Sequence, residues 1–341
     1  MLVSSIARVF AGHHGRPSLG TEPSTAETRM NCAICRRLSR TLLAPTGLLL
    51  LLAAAASPPA AALTGWVSGV RTLDDINAFA AWRDSPVGIA IGYIDWKNGW
   101  AGMNKYASGS QARLLRRAAP RLSLGHGLFP QGGDLAACAA GEYDDEQSEV
   151  ARRLQANGVG DAELRLGWEA SGDWFPWSAA GKPAEQWKAC FTRVAVAMKA
   201  RAPGLTIGWY VAKKGRIDVR TIFPDAAPIA MVGISHYDDA QARFGDETFK
   251  GGPWGLRAFL HYVQEKNRQR PPGARLGFAV AEWGVGRIGD HPDYVRKMYA
   301  FFGEAAASGD LAYEAYFNGN DTRLYPVTGT PVSALTYQGL F

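Results

Sequence analysis

Beyond residue 63 the chain alternates between short, almost wholly apolar runs and longer runs whose apolar residues recur every three or four positions. Trp66–Val70, Val87–Tyr93, Arg121–Phe129, Ala162–Glu169, Leu205–Val211, Ile229–Tyr237, Arg275–Glu282 and Leu311–Phe317 are rich in branched and aromatic residues and read as strands. Between them, Leu73–Arg83, Ser108–Ala118, Glu146–Ala156, Ala184–Ala202, Trp254–Asn267 and Pro292–Ala307 carry helical spacing. Pro120, Gly158 and the Pro203-Gly204 pair stand where helices should stop. Only Lys213–Ala227, short and proline-bearing, predicts a vestigial helix. Strands alternating with helices predict a parallel sheet, and eight strand-like runs with helical connections after most of them predict one α/β domain, a (β/α)8 TIM barrel over residues 63–341.

The first 62 residues do not fit that pattern. Residues 1–29 are polar and aperiodic and read as a mis-called N-terminal extension. Met30 opens a segment with Arg36, Arg37 and Arg40, an apolar run Leu48–Ala56 and then Ala60-Ala61-Ala62, the order of a signal peptide over residues 30–62. The run is short for a membrane span, so a secreted or periplasmic protein without stable membrane insertion is expected, a membrane anchor being the alternative. Six arginines and two glutamates lie in residues 1–62 and supply +4 of the formal +6, so the remainder gives no reason to expect a nucleic-acid partner. Of the four cysteines, Cys138 and Cys190 lie outside the leader; in an oxidising compartment they form one disulfide, or else two buried thiols. No His, Cys and carboxylate cluster has metal-ligand spacing, and no cofactor is expected.

Candidate chemistry concentrates in two segments. Arg165-Leu-Gly-Trp-Glu-Ala-Ser-Gly-Asp-Trp-Phe-Pro-Trp177 is a strand ending in Glu169 and a tryptophan-rich loop. Leu276-Gly-Phe-Ala-Val-Ala-Glu-Trp-Gly284 repeats the arrangement around Glu282. In a barrel of this kind the C-terminal ends of the strands form the site. Strict alternation along strands four and seven sets Arg165, Gly167 and Glu169 on one face and Phe278, Val280 and Glu282 on one face. Two carboxyls flanked by aromatic rings suit glycosidic-bond cleavage: one protonates the leaving oxygen, the other attacks carbon or activates water, and the rings stack on sugars. Glu169, beside Trp168, is expected to be the desolvated group that holds a proton near neutrality, and Glu282 the one that stays ionised.

These two motifs, with His236-Tyr237-Asp238 on strand six, resemble glycoside hydrolase family 26 and its β-mannanase relatives among the retaining (β/α)8 hydrolases. The resemblance implies that Glu169 is the acid/base, that Glu282 is the nucleophile, and that Tyr237 donates a hydrogen bond to it. It departs at Trp168 and Ser171, where the family carries a His and an Asn that grip the sugar. The substrate is therefore open among mannan, a β-1,3-linked xylan or glucan, and an exopolysaccharide. Trp174, Trp283, Asp95, Trp96 and His126 are further candidates for contact with a polysaccharide or oligosaccharide, with loop or core packing as the alternative for each. The expected activity is that of a secreted retaining endo-β-glycanase with carboxyls about 5–5.5 Å apart. A non-catalytic glycan-binding barrel and an exopolysaccharide transglycosylase are the alternatives.

Overall fold

The computed structural model describes residues 64–72, 74–239, 255–285 and 288–341. The expected extension and signal peptide, and Trp254 and Arg287, lie outside them. Among the described residues eight parallel strands close into a barrel in sequential order: β1 (Ser68–Thr72), β2 (Ile89–Tyr93), β3 (Arg121–His126), β4 (Glu163–Leu166), β5 (Thr206–Ala212), β6 (Met231–Tyr237), β7 (Gly277–Gly284) and β8 (Leu311–Asn318). The helices around them are α1 (Ile76–Trp82), α2 (Gly99–Ser108), α3 (Ser110–Ala118), α4 (Leu135–Ala140), α5 (Asp144–Ala156), α6 (Ala184–Arg201), α7 (Leu256–Arg268), α8 (Pro292–Ala307) and α9 (Pro331–Leu340). The (β/α)8 barrel expected from the pattern is the observed fold. The link after β5 is reduced to a 3-10 turn, Val219–Ile222, as its proline-bearing sequence predicts.

Local chemistry sets the element ends. Asp134 accepts from the backbone N–H groups of Ala136 and Ala137 and starts α4, and Gly141, at φ 92°, closes it in the left-handed region that glycine tolerates. Proline opens α8 and α9, where its missing N–H costs nothing. Cys138 on α4 and Cys190 on α6 form the disulfide.

The barrel interior has an unusually polar middle. Glu163 accepts from the Tyr210 hydroxyl at 2.5 Å, Tyr210 and Tyr313 share a hydrogen bond of 2.9 Å, and Tyr313 reaches Ser123 at 3.2 Å. Tyr210 fits because a Cβ on Gly208 or Gly233 would lie 2.6 Å or 2.1 Å from its ring. Desolvation pushes the Glu163 carboxyl up, only partly offset by its hydroxyl partners, so this layer favours an uncharged acid.

Two expectations about facing are corrected. On β4, alternation holds for Glu163 and Arg165 but the strand ends at Leu166, and Gly167 (φ 52°) and Glu169 (φ 56°) both turn left-handed. On β7, Phe278 packs outward on Phe259 of α7 and Phe301 of α8, whereas Glu282, four residues on, points into the barrel. The even spacing fails because β7 bulges. Its pairing with β6 steps from Gly233↔Ala279 to Ser235↔Glu282, two residues opposite three.

Candidate functional site

At the C-terminal end of the barrel Glu282 lies in a fixed cradle. Its Oε1 accepts from Arg165 Nη1 at 2.6 Å and its Oε2 from the Tyr237 hydroxyl at 3.0 Å. The carboxylate is only 5 % exposed, and Arg165 is buried beneath it with Nη2 donating to the Gly92 carbonyl at 3.3 Å. A buried anion is stable only when paired and hydrogen-bonded, and both conditions are met here. The Arg165 guanidinium also lies 4.9 Å from the centre of the Tyr93 ring. Burial first, and the Glu282 charge second, push the Tyr93 phenol well above its ordinary range, so its hydroxyl keeps its proton beside the carboxylate.

Glu169 is placed by its loop. Trp177 Nε1 donates to the Trp168 carbonyl at 3.1 Å, and Trp187 Nε1 of α6 donates to the Trp177 carbonyl at 2.8 Å. The Ala179 N–H reaches the Ala170 carbonyl at 2.8 Å. Ser171 Oγ accepts from the Ala212 N–H at 3.0 Å and donates to the Ala212 carbonyl at 3.1 Å, fastening the loop to the end of β5. This scaffold over-determines the left-handed backbone at Glu169, a conformation that costs a non-glycine residue roughly 1–2 kcal/mol. Trp174 folds back over the loop, 40 % exposed, and its Nε1 donates to Glu169 Oε2 at 2.8 Å. It can do so because residue 172 is glycine: a Cβ there would sit 2.5 Å from the indole.

Aromatic rings join the two carboxylates' settings. Tyr93 contacts Trp168 (centroids 5.5 Å apart) and Phe317 (6.4 Å), and Phe317 contacts Tyr237 (5.9 Å). Rings from β2, the β4 loop, β6 and β8 thus border the mouth. Gly125 makes the first contact possible, since a Cβ on it would lie 2.6 Å from Tyr93 and 3.2 Å from Trp168. Lys213, at the end of β5, holds the backbone of this rim by donating to the Tyr237 carbonyl at 2.5 Å and to Asp239 at 2.7 Å.

The structure therefore brings Glu169, Glu282, Trp168, Trp174 and Tyr237 to one end of the barrel. Trp96 joins them from the β2 loop, edge-on to Phe175 (5.7 Å) and Trp177 (5.3 Å). Asp95 is at the same rim, but its oxygens accept from Lys97 N, Asn98 N and Asn98 Nδ2 and build its own turn. Two candidates lie elsewhere. His126 faces the helices, fully buried, with Nε2 at 2.6 Å from Gln147 of α5, and desolvation lowers its pKa to about 4. Trp283 points outward too, packing on Tyr316 (4.8 Å) and Phe341 (5.3 Å), with Nε1 donating to Glu314 at 2.5 Å. Both corrections follow from strand parity: Gly125 and Glu282 take the inner face, so their successors take the outer one. Tyr93 and Phe317 are absent from the sequence-derived set, although the strand-end rule applied to Glu169 and Glu282 also selects Tyr93, the last residue of β2.

No family model matches the chain, and no curated protein matches it. Solved structures do. A GH26-CBM35 β-(1,4)-mannanase from Podospora anserina superposes with a TM-score of 0.52 at 15 % identity, over 81 % of this chain and 61 % of its own length. The GH26C structure from Muricauda sp. MAR_2010_75 gives 0.53 at 12 % identity, covering 81 % and 84 % of the two chains. Fungal β-1,4-galactanases give 0.56 at 13 % identity, covering 80 % and 98 %. The chain spans about three fifths of the Podospora protein. At such identities the likeness shows a fold shared with glycoside hydrolases, and function rests on the site itself.

Proposed function

We infer that the protein is a retaining glycoside hydrolase, an endo-acting β-glycanase working on a polysaccharide. The observation that carries this reading is the cradle of Glu282: a buried carboxylate held by Arg165 and Tyr237, at the end of the barrel where a second carboxyl, Glu169, sits on a rigid aromatic loop. In the first step a Glu282 oxygen bonds to the anomeric carbon while Glu169 delivers its proton to the departing glycosidic oxygen. In the second, Glu169 takes a proton from water, whose oxygen displaces Glu282 from the same carbon and restores the starting configuration. Arg165 and the Tyr237 hydroxyl orient Glu282 for attack by hydrogen-bonding one to each of its oxygens. Tyr93 and Trp174 offer ring faces to pyranose rings, with Trp168 buried behind Tyr93 as their support.

The same reading places the protein outside the cytosol, supported by the Cys138–Cys190 bond, since such bonds persist in oxidising compartments. Fractionation of cells expressing the full chain tests this: a reduced cytosolic product would count against it.

The decisive experiment offers a panel of β-linked polysaccharides and follows the anomeric proton of the product by NMR. Retention is expected, and a 2-deoxy-2-fluoro glycoside should leave its sugar covalently on Glu282, located by peptide mass. Inversion, or label on another residue, would overturn the assignment. Binding of a glycan without turnover would favour a glycan-binding barrel.

A further inference from the structure

The rim of the barrel mouth holds a cation that no anion answers among the described residues. Arg71 is the penultimate residue of β1. Its neighbours at odd spacing face away from the barrel: Ser68 Oγ accepts from Arg83 Nη1 at 2.9 Å, and Thr72 Oγ1 accepts from Asn318 Nδ2 at 3.2 Å. Arg71 therefore takes the inner face, as Gly69 does, whose Cβ would meet Ile89 and Ala315. Its guanidinium carbon stands 4.7 Å from the centre of the Phe317 ring, the residue paired with it in register. Phe317 is the ring that touches both Tyr93 and Tyr237, so Arg71 is a near neighbour of the Glu282 cradle.

Arg165, also inward, is neutralised by Glu282, and Arg323, in the loop after β8, approaches Asp74 at 3.5 Å. Arg71 is half-buried and, among the described residues, has only the face of a phenyl ring. A ring face holds the cation without using its N–H donors, which remain available to a ligand. Those donors form a fork matched to a planar carboxylate, and a neutral hydroxyl uses it poorly. The cation also stands at a site that already holds two carboxyls, where an approaching anion needs compensating charge.

We propose that Arg71 is a subsite for the carboxylate of an acidic sugar, and that the preferred substrate is a uronate-bearing glycan. The proposal rests on the hydrolase reading and names the substrate class of that site. Mannuronan oligomers and glucuronate-substituted xylan are each offered beside the same material with its carboxyls reduced to alcohols. Wild type, Arg71→Gln and Arg71→Lys are compared by reducing-end release, and by calorimetric titration in a Glu169→Gln background. The wild type should prefer at least one acidic parent over its reduced form by about 10–100-fold in kcat/KM. Arg71→Gln should bring that ratio close to one, and Arg71→Lys should fall between. Carboxyl reduction probes the ligand side alone, so the result stands even if a variant folds poorly. Equal rates on parent and reduced glycans, or a ratio unchanged in Arg71→Gln, overturn the subsite while leaving the hydrolase reading intact. If nothing is cleaved, the hydrolase reading fails and titration decides the subsite: binding of an acidic oligomer that depends on Arg71 upholds it, and no binding overturns it.

Discussion

The two carboxylates at the mouth are held by opposite means. Glu282 sits within a hydrogen-bonded strand, nearly sealed, and its charge is matched by Arg165 below and Tyr237 beside it. Glu169 sits past the end of its strand, half-exposed, on a left-handed backbone imposed by a tryptophan-braced loop. The contrast fits a division of labour. A group that attacks carbon must stay charged and motionless, whereas a group that gives and takes a proton must meet both the leaving oxygen and water.

The sharpest way to break that division is to remove each carboxyl and change the leaving group. Glu282→Ala should lose roughly 10⁴–10⁶-fold in kcat on every substrate. Glu169→Ala should lose about 10²–10⁴-fold on a polysaccharide but far less on a dinitrophenyl glycoside, whose departure needs no proton. If the dinitrophenyl substrate restored Glu282→Ala instead, the roles would be exchanged.

Next in size is the ion pair beneath Glu282. Arg165→Met strands a buried carboxylate and should lower the unfolding free energy by about 3–5 kcal/mol in urea titration. The double variant Arg165→Met/Glu282→Gln should recover much of that loss. Additive losses would mean that the two side chains are not energetically coupled.

A third test separates the mouth from the wall behind it. Glu314 is buried beside Trp283, and desolvation raises its pKa to about 7 against an ordinary value near 4.5. The folded chain therefore binds a proton that the unfolded chain has released. Stability should decline between about pH 4.5 and 7, by roughly 1.4 kcal/mol per unit, and level off above. His126 acts in the opposite direction: with a folded pKa of about 4, it costs stability as pH falls below the ordinary imidazole value. Glu314→Gln should flatten the alkaline decline in urea midpoints at pH 5 and 8, and an unchanged slope would remove Glu314 from the account. Smallest is Trp174→Phe, which keeps a ring but deletes the N–H bound to Glu169; a loss of about 3–10-fold in kcat/KM is expected.

How much of this was legible in the sequence depended on whether local pattern or tertiary geometry decided the matter. The eight strands stood out because each is an apolar run bounded by breakers, Glu169 and Glu282 were found because strand ends form the mouth of such a barrel, and Tyr237 came from the family resemblance. The helices α2, α4 and α9 were not, since Gly99-Trp-Ala-Gly102 carries two glycines in its first turn and Leu135–Ala140 is too short for a periodic signal. The outward turn of Trp283 was already implied by the inward face expected of its neighbour Glu282, whereas that of His126 was hidden by a strand whose residues after Arg121 are all buried. Burial on both faces erases the alternation from which a facing is read. Phe317 and Arg71 gain meaning only through contacts made across the closed barrel.

The extra residue in β7 carries a consequence for how this protein could tolerate a change of length. Ala279 and Glu282 both lie opposite inward positions of β6, so deleting one amino acid between them would straighten the strand and still leave the acid facing the cavity and the indole of Trp283 facing α8. Among relatives, a segment one residue shorter here is therefore compatible with the same catalytic placement.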